Sequence, residues 1–155
     1  MADVGHLGAV ITLSASVTTS GVPVPLTDFP KDTDPFDIPD IEIAETEMGT
    51  NGDLISWSVA NPLPLTIGAI PNTEMHVFLQ TLLSRNRPEK GKRPVGDTFV
   101  LVRVLPNGEV ATFTGGKMTG GSPIPSMGSS GKLSTPTFSF SFAKLVVVPA
   151  NLLLS

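Results

Sequence analysis

Along "AVITLSASVTT", Ala9 to Thr19, apolar Ile11, Leu13, Ala15 and Val17 alternate with small or hydroxyl residues. A period of two predicts a half-buried strand. From Gly21 to Asp40, Pro23, Pro25, Pro30, Pro35 and Pro39 break any long regular element. Strand-like patterning resumes in "IEIAETE", Ile41 to Glu47, and in "LISWSVA", Leu54 to Ala60, where Ile55, Trp57 and Val59 share a face. Asn51-Gly52 between them predicts a hairpin closed by a type I′ turn, because both residues tolerate positive φ.

"NTEMHVFLQTLLSRN" is the only helical pattern. Met75, Phe78, Leu79, Leu82 and Leu83 form one apolar stripe, Asn72 stands where a cap belongs, Glu74 favours the positive end, and Pro88 limits the exit. The small polar face predicts a helix lying across a sheet or the mouth of an open barrel. A second hairpin is expected in "DTFVLVRVL", "PNG" and "EVATFT", with its turn at Asn107-Gly108. Gly115 to Ser134 reads as a long Gly/Ser-rich loop, well beyond the usual four to six residues or so. "TPTFSFSFAKLVVV" then aligns Phe138, Phe140 and Phe142, and Lys144 breaks the register, which predicts a bulge there. This order implies a mainly β fold, an antiparallel β-sandwich or partly closed β-barrel with one packed α-helix. No internal repeat or heptad is visible.

The chain has 155 residues, which fits a single domain over 1–155 with a Pro/Asp-rich loop at 21–40 and the Gly/Ser-rich loop at 115–134. It has no Cys, which excludes thiol catalysis, zinc-thiolate sites and a disulfide framework. The start "MADVGHLGAV" lacks the form of a secretory leader, and no segment approaches the roughly 20 apolar residues of a membrane span. The expectation is folding in a cytoplasm without membrane association. Only 15% of residues are charged, so part of the surface is expected to be covered by partners.

Charge is divided unevenly. Residues 1–53 carry −9 and residues 54–155 carry +5, giving the net −4. The acidic candidates for a channel or interface are Asp28, Asp32, Asp34, Asp37, Asp40, Glu42, Glu45, Glu47 and Asp53; the basic interface candidates are Arg85, Arg87, Lys90, Lys92 and Arg93. Opposite patches on one chain suit a head-to-tail contact between copies. The Asp-rich loop fails as a calcium site: in a register starting at Asp32, Phe36 falls where an oxygen ligand belongs and Asp37 where the turn glycine belongs. His6 and His76 are isolated and read as structural or exposed. No GxSxG elbow or phosphate-binding GxxxxGK[ST] loop is present, and "TGGKMTGGS" matches neither. Catalytic, cofactor-binding and metal residues are therefore expected to be none. The basic run lacks interleaved aromatics for a nucleic-acid stacking platform.

The order of features resembles a bacteriophage tail tube protein, of the long-tailed phage and injection-system kind. The resemblance covers roughly 8–148 and rests on the short N-terminal strand region, an acidic section running into "IEIAETEMGTNGDLISWSVANPLPLTI", the helix "NTEMHVFLQTLL" and a β-rich C-terminal half. It implies a structural subunit of the virion, assembled in the host bacterial cytoplasm into stacked, hexameric rings around an acidic channel. It also implies as partners the chain itself, sheath, baseplate and tail terminator proteins, and DNA that passes through without specific binding. An acidic lining repels phosphate and lets the polymer slide. The alternative is a non-enzymatic adhesion or pilus-like domain, or another β-sandwich binding domain; with Trp57 as the one Trp and no Tyr, an aromatic sugar platform is poorly supplied.

Overall fold

In the computed structural model, residues 9–27, 29, 36–58 and 60–149 are described. The first strand, β1 (Val10–Ala15), buries Ile11, Leu13 and Ala15 as the alternation requires. It stops earlier than the pattern predicts. The Thr19 hydroxyl donates to the Ala15 carbonyl and accepts from the Ala15 amide, both at 2.9 Å, so a side chain replaces the ladder and turns the backbone. Two short strands, β2 (Val24–Leu26) and β3 (Phe36–Asp37), are the regular elements within the Pro-rich segment. The rest of the order is β4 (Ala44–Met48), β5 (Leu54–Ser58), β6 (Leu63–Gly68), α1 (Glu74–Asn86), β7 (Phe99–Val104), β8 (Val110–Gly121), β9 (Thr137–Phe142) and β10 (Lys144–Val148).

An antiparallel eight-stranded sheet runs β2-β1-β7-β8-β9-β6-β3, with β10 also on β8, while β4 and β5 form a separate two-stranded sheet. Strand β8 joins the two parts of the main sheet. Its first half pairs with β7 and β10, and its second half with β9. Strands β9 and β10 follow β8 as one line interrupted at Ala143, the irregularity expected near Lys144. Phe138, Phe140 and Phe142 are buried on one face, with Phe140 against Phe99 at 5.2 Å and Phe142 against Phe113 at 5.3 Å. Each ring taken fully out of water contributes on the order of 1.5–3 kcal/mol. Helix α1 covers this core with Met75, His76, Leu79 and Leu82 and packs on β8. The fold is mainly β with one packed helix, as the pattern implies; the outermost β2 and β3 do not pair with each other, so no closed barrel forms among the described residues.

Three local expectations are corrected, and one strand appears that the pattern did not predict. Neither hairpin has a type I′ turn. Gly52 N–H donates to Gly49 O and Gly108 N–H to Leu105 O, each at 3.0 Å, and only the glycines take positive φ, at 87° and 97°. Thr50-Asn51 and Pro106-Asn107 are therefore the central pairs, with Gly at the following position; Pro106, fixed near a φ of about −65°, suits this and not I′. The helix cap is Thr73, whose hydroxyl accepts from His76 N–H, while Asn72 sits at φ 63°. The Gly/Ser-rich loop expected at 115–134 begins later, because β8 continues through Gly121. Finally, β6 is a strand although Pro64 lies within it. Its other side pairs with β9, and two-residue β3 reaches only Thr66 and Ile67, leaving Pro64 on an unpaired edge among the described residues.

Candidate functional site

The acidic candidates gather mostly around the β4–β5 hairpin. Asp37 is on β3, Asp40 and Glu42 lie on the approach, Glu45 and Glu47 are on β4, and Asp53 is in the turn, all exposed. Asp28, Asp32 and Asp34 lie outside the described residues. Cross-strand register pairs Glu45 with Trp57 and Glu47 with Ile55, so one hairpin face carries two carboxylates beside two apolar side chains. Trp57 Nε1–H donates to Glu45 Oε2 at 2.9 Å. The opposite face holds Ala44, Thr46 and Ser56, then Met48 and Leu54 near the turn. Every residue of both strands is exposed, with Leu54 at 65%, Met48 at 64% and Trp57 at 45%. A two-stranded hairpin is at best marginally stable in water, and this one buries neither face. Its order calls for a covering partner.

The basic candidates lie elsewhere. Arg85 lies in the last turn of α1, where the helix dipole favours a cation; Arg87 is the extended cap, and Lys90, Lys92 and Arg93 follow in an exposed loop. Lys92 Nζ donates to Ser84 O, and Arg87 meets Glu89 at 3.7 Å in an exposed pair worth little in water. Neither ion pair seen among the described residues, Arg87–Glu89 or Arg103–Glu109, joins the acidic hairpin to this loop. Beside the helix end runs a groove of about 360 Å³ lined by Leu83, Asn86, Arg87, Met118, Gly120 and Pro123, among others. A third surface is β10, whose Leu145 to Val148 are exposed; among the described residues it pairs only with β8.

A buried carboxylate positions the basic loop. Asp97 is 1% exposed and accepts from Val17 N–H at 2.8 Å, Thr18 N–H at 2.9 Å, the Thr18 hydroxyl at 2.5 Å and Asn86 Nδ2–H at 3.0 Å. Its own amide donates to Asn86 Oδ1 at 2.9 Å. The turn after β1, the end of α1 and the start of β7 are thereby fastened together. Burial by itself would raise the Asp97 pKa, but the hydrogen bonds from Thr18, Asn86 and Val17 together hold it below the usual carboxylate range. Lys117 Nζ caps the same corner by donating to Gly96 O, Asp97 O and Thr98 Oγ1. No local motif announces this cluster, since its partners come from distant parts of the chain. His76 is also buried: Nδ1 accepts from Asn72 N–H at 2.9 Å, Nε2 has no partner among the described residues, and burial lowers its pKa. Its ring also lies 6.4 Å from that of Phe138; His6 lies outside the described residues.

This arrangement offers exposed interaction surfaces carried by a sheet. The fold is similar to that of chains in anti-feeding prophage assemblies. A chain in the anti-feeding prophage tube-terminating cap superposes with a TM-score of 0.59 at 10% identity, covering 96% of this chain and 92% of that one. A chain in the six-fold symmetrised anti-feeding prophage baseplate gives 0.53 at 10% identity, covering 98% and 99%. No curated protein matches the sequence. Residues 2–146 match the family described as "Tail fiber protein gp32", and the chain belongs to that family.

Proposed function

We propose that this protein is the repeating structural subunit of a phage tail tube. Copies join head to tail into rings, six to a ring, and the rings stack around a channel that DNA traverses without specific binding. The observation that carries this reading is the fully exposed hairpin, acidic and apolar at once, on a chain whose cations lie on a separate surface. Strand β10 supports it: it is apolar and its outer edge is unpaired among the described residues, and such an edge invites aggregation unless a neighbour covers it. Acidic side chains from Asp37 to Asp53 not used at subunit contacts face the channel and repel phosphate. Sheath, baseplate and terminator proteins are the partners along the finished tail, which resides in the virion after assembly in the host cytoplasm.

Negative-stain imaging of the purified protein near physiological salt tests this reading. Rings or tubes are expected; monodisperse monomers across a wide concentration range overturn it. The family description favours a second reading, a fibre component, which the same images would reveal as solid filaments lacking a bore. Binding to duplex DNA should be negligible at moderate salt. Strong, salt-sensitive binding would instead assign Arg85, Arg87, Lys90, Lys92 and Arg93 to phosphate contact.

A further inference from the structure

The hairpin and the groove beside α1 are complementary in two respects at once. The hairpin face presents Ile55 and Trp57 alongside Glu45 and Glu47. The groove presents Leu83, Met118 and Pro123 alongside Arg87, with Arg85 and Lys90 near in sequence. No atom lies within 4 Å of where a Cβ on Gly120 would stand, so the groove wall is open to an incoming side chain. Trp57 is already prepared for burial. Its indole N–H is bonded to Glu45, so covering the ring strands no donor, and a guanidinium can lie over its face. Glu45 and Glu47 are two positions apart on one strand and point the same way, about 7 Å apart, a spacing that extended cationic side chains can bridge.

Resting on the self-assembly reading above, we infer that the Glu45, Glu47, Ile55 and Trp57 face of one copy seats in the Leu83, Arg87, Met118 and Pro123 groove of the next copy. The occupant is a second copy because the same chain exposes both complements and, among the described ion pairs, leaves them unmatched to each other. The contact uses two different patches, so every seated copy still offers a free groove and a free hairpin. It therefore propagates or closes, and does not stop at a pair.

The absence of Cys and the presence of one Trp make the test direct. An Ile55→Cys chain mixed with a Pro123→Cys chain should give a cross-linked heterodimer with a short bismaleimide, and both changes in one chain should give a ladder. Independently of any variant, Trp57 emission should shift to the blue and lose iodide quenching on assembly. Glu47→Arg or Arg87→Glu alone should raise the concentration for half-assembly about two- to fivefold, and the two combined in one chain should restore it. Assembled particles in which Trp57 stays as quenchable as in the free subunit overturn the inference and leave self-assembly standing. So does a shielded Trp57 with no Ile55–Pro123 cross-link and no recovery in the swapped chain, since the hairpin then docks elsewhere. Failure to assemble under any condition removes both readings.

Discussion

At Asp97 a single buried carboxylate satisfies two backbone amides, a hydroxyl and a carboxamide in a part-buried cluster. Asp97→Ala should lower stability by about 1–3 kcal/mol, measured by urea denaturation, because those part-buried donors lose their shared acceptor. Since the folded pKa lies below the unfolded value, the unfolded chain takes up a proton at higher pH than the native one. The stabilisation is complete above about pH 4 and is lost as pH falls through the depressed folded pKa. His76 has the same sign in a different window. Its folded pKa is also lowered, so stability should begin to fall as pH drops below about 6.5, and His76→Phe should remove that upper step while leaving the acid step of Asp97. Denaturation midpoints from pH 8 to 3 would follow both. Neither residue was legible from its neighbours: Asp97 meets Val17 across 80 positions, and His76 differs from a surface histidine only by the aromatic sheet beneath it.

Among the elements, periodicity identified β1, both hairpins, β9 and the helix but not β2, β3 or β6, and glycine misled. "TGGKMTGG" has the composition of a loop but is the second half of β8, where a side chain at Gly116 would strike the Phe142 ring and come within 3.1 Å of the Phe99 carbonyl. Gly121 is crowded in the same way by Phe138. The rings of β9 fill the space that the glycines leave, an arrangement seen only when both strands are in place. Gly116→Val should therefore cost about 1–3 kcal/mol, or more if the strand pair separates. Gly52→Ala makes the contrast: nothing stands near its Cβ site, so only the positive φ is strained and a loss of roughly 1 kcal/mol is expected. Thermal denaturation of the two variants would rank them. The hairpin pairing was readable from Asn51-Gly52, but its turn type depends on the residues one step earlier, and Pro64 concealed β6 because an edge position cannot be read from one strand alone.

For the whole molecule, the division of charge was plain in the sequence, and the structure gives it a location by setting the acidic hairpin apart from the main sheet and the cations at the helix end. Raising salt should weaken assembly only modestly, by sedimentation or light scattering, because exposed ion pairs are screened while apolar burial is not. Which carboxylates would face a channel could not be read from one chain, since that depends on neighbours. Strand β8 carries a further consequence. Because its two halves are hydrogen-bonded to different parts of the sheet, neither part can come apart while the other keeps β8 intact. Native-state hydrogen exchange should then find no opening that releases β1 and β7 as one unit and β6 and β9 as another; the amides of β8 should exchange last, and only with global unfolding. A subunit wired in this way yields all at once or not at all, so a tube built from it would bear strain at the joints between its subunits before it bore strain within them.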